Sequence, residues 1–110
     1  MAGLNDNGTR TTPDLTAFRA PYADNDPAHA DHCGHGYLDA ETIATHVVAC
    51  VEAGIQPGFH VIGDAALDTV IEGCRAGAER LGGSRLRTAR LRLEHVETAD
   101  DAQIAALAEL

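Results

Sequence analysis

The strongest constraint on this 110-residue chain is the alternation of two apolar patterns from residue 39 onward. Residues 39–53 repeat an apolar side chain every four positions, at Ile43, Val47 and Val51. With Asp39 as N-cap and Gly54 as stop, that spacing predicts a helix. Residues 56–62, QPGFHVI, form a short apolar run ending at Gly63 and predict a strand. Residues 64–81 predict a second helix, with Asp64 as a candidate N-cap and Gly82-Gly83 as its end. Leu67, Val70, Ile71, Cys74, Ala78 and Leu81 make its apolar stripe. Residues 90–96, RLRLEHV, predict a second strand. Thr98 then opens a third helix in which Ile104, Leu107 and Leu110 face inward. The order α–β–α–β–α predicts two parallel strands joined by crossovers, in an α/β fold with about three helices. Two parallel strands are few for a sheet buried on both faces. The expectation is therefore a piece of a larger α/β architecture, or a module that completes itself by oligomerising.

Residues 1–36 hold Pro13, Pro21 and Pro27 and sustain no helical or strand period. They read as an irregular segment ahead of the α/β unit at 37–110. Seventeen acidic residues against eight basic ones, all Arg, give a net charge of −9. That balance argues against nucleic acid and against an anionic membrane surface as partners. No apolar run reaches the length of a membrane span, and the first twenty residues lack the apolar core of a signal peptide. Cys33, Cys50 and Cys74 fit neither a disulfide framework nor a C-x-x-C pair. A reduced, cytoplasmic setting is the expectation.

Both strands carry a histidine near the carboxyl end: His60 in FHVIGD and His95 in RLEHVE. Parallel α/β folds bind ligands at that end, and neutral imidazole is the commonest metal ligand. Two such residues on consecutive strands suit a divalent ion; each also suits a hydrogen-bonded position in a core. Strand parity groups Leu91 and Leu93 with His95 as interior residues and sends Arg90, Arg92 and Glu94 to the helix side, where Arg92 and Glu94 must pair. Asp64, four residues after His60, reads either as a helix cap or as a carboxylate beside the site. His29, His32, Cys33 and His35 are soft ligands in a loop, at a spacing that matches no standard zinc module. Cys50 and Cys74 read as small core residues. Gly8, in NDNGTRT, belongs to no phosphate loop. Arg85, Arg87, Arg90 and Arg92 read as a solvated turn and strand start.

FHVIGDAALDTVIEG, followed by RLEHVETADD, resembles the central part of the amidohydrolase superfamily. The match is to the amidohydrolase-3 branch, which includes N-substituted formamide deformylase-like enzymes. APYAD and CGHGYLDAETIATHVVACVEAG extend the resemblance over roughly residues 20–110. The resemblance implies a (β/α)8 TIM barrel, of which this chain would be a fragment, and metal-dependent hydrolysis of non-peptide carbon–nitrogen bonds. It implies His60 and His95 as ligands of a divalent metal, zinc being the expected ion, with Asp64 and Glu94 placed around them. The substrate class implied is a small amide-like molecule. The family's H-x-H pair and carboxylated lysine have no counterpart, since the chain contains neither an H-x-H nor any Lys. The expectation is a hydrolase fragment inactive alone, completed by another chain or by a homo-oligomer. The alternatives are a non-enzymatic self-assembling α/β module and a non-functional truncated product.

Overall fold

The computed structural model describes residues 3–4, 10–11, 15–21, 34–35 and 38–110. In chain order the elements are β1 (Gly3–Leu4), β2 (Arg10–Thr11), β3 (Leu15–Ala17), β4 (Gly34–His35), α1 (Ala40–Glu52), β5 (Gly58–Ile62), α2 (Asp64–Leu81), α3 (Gly83–Ala89), β6 (Arg92–Glu97) and α4 (Asp101–Glu109). The main sheet has the order β4-β3-β5-β6. β3, β5 and β6 run parallel, and β4 is antiparallel to β3. β1 and β2 form a separate antiparallel pair. The fold is α/β and contains the expected parallel β5–β6 pair, with β6 at the edge of the sheet. The region before residue 37 adds a third parallel strand, β3, which no apolar pattern announced.

Side-chain caps open α1 and α4. Asp39 caps α1 by accepting the Thr42 N–H at 2.7 Å, as expected. The first turn of α2 departs from expectation. Its N-cap is Gly63, and Asp64 is the first helical residue. The Asp64 carboxylate instead accepts the N–H groups of Ala65, at 2.9 Å, and of Arg19, at 2.8 Å. For α4, Asp100 replaces Thr98 as N-cap. Asp100 and Gln103 form a reciprocal capping box, while Thr98 lies two residues earlier in left-handed backbone, φ 65°.

The helix α3 was not anticipated, so four helices stand among the described residues where about three were expected. Its seven residues contain a single buried apolar side chain, Leu86, too few to show a period. The arginines read as a turn therefore divide between α3 with its cap and β6. Arg87 donates to the Glu109 carbonyl at 2.7 Å, Arg90 ends α3 in left-handed conformation, and Arg92 enters β6.

The core lies between the sheet and the helices, built from Ile43 and Val47 of α1, Phe59 and Val61 of β5, and Leu67, Val70 and Cys74 of α2. Its closest helix–helix approach depends on Gly73 and Gly77. A Cβ on Gly73 would stand 2.5 Å from Ile43 Cγ2 and 2.9 Å from the Ala40 carbonyl oxygen. Cys50 and Cys74 are buried thiols, as expected. Burial pushes the Cys74 thiol up to about 12, which removes thiolate chemistry at neutral pH. Among the described residues no helix is long and apolar enough to cross a membrane.

Candidate metal centre at the strand ends

His60 and His95 meet at the carboxyl ends of β5 and β6. Nδ1 of His60 lies 3.2 Å from Nε2 of His95, with ring centroids 5.3 Å apart and planes tilted by 36°. Strand parity alone would not produce this meeting. Phe59 is the register partner of Leu93, His60 of Glu94, and Val61 of His95. Partners in register point to one face, so His95 belongs with Val61 and Leu93, on the side covered by helices. His60 belongs with Glu94 on the other side. The assignment of Leu93 to the interior and of Arg92 and Glu94 to the helix face is thus reversed. Leu93 packs on the helix-covered core, and Arg92 and Glu94 form their ion pair on the open face.

A β-bulge brings His95 across. The register jumps from Val61↔His95 to Ile62↔Glu97, leaving Val96 as the extra residue. His95 and Val96 both have positive φ, 71° and 54°. Bulges of this kind re-aim side chains beside functional sites. Left-handed backbone is a genuine outlier for a β-branched residue such as Val96.

Without an ion, the two rings share one hydrogen bond, one nitrogen donating and the other accepting. The same spacing suits a shared cation. Donors about 2.0–2.1 Å from a tetrahedral ion stand about 3.3 Å from each other. The two imidazoles therefore fit as adjacent ligands. Among the described residues no cluster of three His, Cys, Asp or Glu completes a set around them. His29, His32 and Cys33 lie outside the described residues. His35 enters the sheet through its backbone, paired with Thr16.

Behind the histidines runs a polar network that sequence reading missed. Arg19, two residues beyond β3, grips Asp68 with Nε and Nη2, each at 2.7 Å, and Asp100 with Nη1, also at 2.7 Å. Gln103, 3 % exposed, donates 2.7 Å bonds to the Asp64 carbonyl and to Asp68 Oδ1. The segments following β3, β5 and β6 are thereby tied at one end of the sheet. Two signals for it were present. Asp64 and Asp68 are like charges at i, i+4, unfavourable unless a cation lies between them. Asp100-x-x-Gln103 has the spacing of a capping box.

Arg19 and the Gln103 side chain hold the Asp68 carboxyl below the usual range, against the effect of partial burial. The Gln103 N–H, then Arg19, do the same for Asp100. A carboxylate with a depressed folded pKa stabilises the fold above its unfolded value, about 3.9, and that contribution is lost as pH falls through the folded value. The expected result is a urea midpoint that begins to drop near about pH 5 and keeps dropping below about 3.9. Arg19→Gln should flatten that acid limb relative to wild type, and circular dichroism at stepped pH reads both.

A sequence model of the amidohydrolase family matches residues 8–110 of the chain. No curated protein matches it, and no solved structure does.

Proposed function

The chain belongs to the amidohydrolase family, and from that premise we propose that His60 and His95 are two donors of a divalent-metal site hydrolysing carbon–nitrogen bonds other than peptide bonds. The observation that carries the reading is the 3.2 Å approach of His60 Nδ1 to His95 Nε2 at the strand carboxyl ends. Zinc is the proposed ion, because imidazole nitrogens at a tetrahedral edge suit it. A small amide or formamide-like molecule of the N-substituted formamide deformylase type is the proposed substrate. The bound ion would supply Lewis-acid polarisation and a water of lowered pKa.

The chain's own residues do the holding. β5 fixes His60 through its parallel ladders with β3 and β6. The β6 bulge turns His95 to meet it. Glu94, the register partner of His60, keeps Arg92 beside the site as a charge pair. Asp64, anchored by the Arg19 N–H, stands one turn past His60 at the start of α2. We assign the remaining donors to a complementing chain or a second copy. A reduced, cytoplasmic setting is part of the proposal.

A second reading, a self-assembling α/β module without catalysis, draws on the outer edge of β6. That edge has no strand partner among the described residues. It borders a cavity of about 730 Å³ lined by Leu86, Leu91, Leu93 and Leu107. Elemental analysis of the peak from a sizing column separates the readings. Near-stoichiometric zinc in a folded species, lost in the His60→Ala/His95→Ala double variant, is the expected result. A folded oligomer with no zinc would favour the module and overturn the metal site.

A further inference from the structure

We propose that Arg19 is a positioning residue: through Asp100 it locks the strained end of β6 in the one conformation that sets His95 beside His60. The proposal deepens the metal-site reading and rests on it for its chemical meaning. Its structural claim concerns only the two imidazoles.

Between His95 and Thr98, three of four residues have left-handed backbone, at φ 71°, 54° and 65° for His95, Val96 and Thr98. Two of the three are β-branched, the side chains least tolerant of that region. Such strain persists only where the surroundings over-determine it. Upstream, the ladder from Gly58↔Arg92 to Val61↔His95 fixes one end of the segment. Downstream, Asp100 fixes the other. It is held through Oδ1 by the Gln103 N–H at 2.8 Å and through Oδ2 by Arg19 at 2.7 Å. Gln103 in turn grips the start of α2. The residues from Val96 to Ala99 are therefore strung between two anchors.

Arg19 is the element of that second anchor with no substitute. The other charged members, Asp64, Asp68 and Asp100, are all acidic, and among the described residues the ion pairs of Asp68 and Asp100 are both made to Arg19. Without its guanidinium the three carboxylates repel, and the start of α4 is no longer drawn toward α2. The bulge can then relax into regular strand. Regular alternation returns His95 to the side of Val61 and Leu93, away from His60.

The test reads the histidine pair directly. Cross-relaxation between the ring protons of His60 and His95 is measured by NMR in isotope-labelled protein, without metal. Cross-peaks are expected in wild type and in Val96→Gly, where glycine adopts left-handed backbone freely. They are expected to vanish in Arg19→Gln and to return in Arg19→Gln/Val96→Gly, because a bulge relieved of the strain at Val96 no longer needs the lock. A role confined to overall stability would lower the urea midpoint of Arg19→Gln and leave the cross-peaks in place, which overturns the proposal. Failure of Val96→Gly to restore them overturns it equally. Should Arg19→Gln not fold, Asp100→Asn keeps the capping oxygen and removes the charge pairing. Its cross-peaks should also be lost, and their persistence refutes the lock. Zinc titration of the same proteins separates the two levels. Affinity should fall at least about tenfold in Arg19→Gln and recover in the double variant. Cross-peaks that follow Arg19 in a protein taking up no zinc would sustain the lock and refute the metal reading alone.

Discussion

Gly63→Ala should destabilise the fold far more than the same change at Gly82. Gly63 joins β5 to α2 at φ 102° and ψ 150°, a region open essentially to glycine alone. A Cβ there would also lie 2.1 Å from the Ala17 carbonyl oxygen and 2.8 Å from its carbon. Both atoms are backbone, so no side chain can swing away. Backbone strain and overpacking together cost roughly 2–6 kcal/mol, against a typical total of about 5–15 kcal/mol. Gly82→Ala is the matched control. Gly82 has nearly the same backbone, φ 92° and ψ 137°, but nothing within 4 Å of the added carbon. Urea denaturation followed by circular dichroism should show a modest drop in midpoint for Gly82→Ala and a much larger one for Gly63→Ala. Equal losses would mean that the approach of β3 to β5 is not the constraint described here.

Phe59→Ala should cost about 3–5 kcal/mol. Among the described residues Phe59 is the one fully buried aromatic. It sits mid-sheet between the register partner Leu93 and the edge of the His46 ring, 5.6 Å centroid to centroid. The chain has two Phe, two Tyr and no Trp, so no other large side chain stands ready to refill the space. Because Phe59 precedes His60, thermal unfolding should be read together with the His60–His95 cross-peaks. A large drop in midpoint with the pair intact below the transition is the expected combination. A midpoint shift below about 1 kcal/mol would show that the core collapses around the missing ring.

The elements that were legible in the sequence carry their own pattern. α1, β5 and α2 have apolar residues at a sustained period, with Asp39 or a glycine at their ends, and the structure places them within two residues of expectation. α3 and β3 were illegible because each is short and held by its neighbours. Leu86 is the only buried residue of α3, and β3 spans three residues whose ladder depends on β5. At the site, the two histidines were legible from their place at strand ends. The face on which they meet was not. Alternation is a rule of regular strands, and the bulge at Val96 breaks it next to His95. The Arg19 network escaped notice because Arg19 lies 45 to 81 residues from its partners in the chain, beyond the reach of any local pattern.

The way β3 is attached has a consequence for how the molecule breathes. β5 and β6 share five register pairs, whereas β3 joins β5 through two. Regions with few ladder bonds open sub-globally, at free energies well below that of complete unfolding. β3 and the residues just after it belong to that class, while the α2–β5–β6 body belongs to the slow-exchanging one. The grip of Arg19 is therefore governed by a local opening equilibrium. A perturbation too weak to shift the global transition can still change how often the strand end bearing His95 is released.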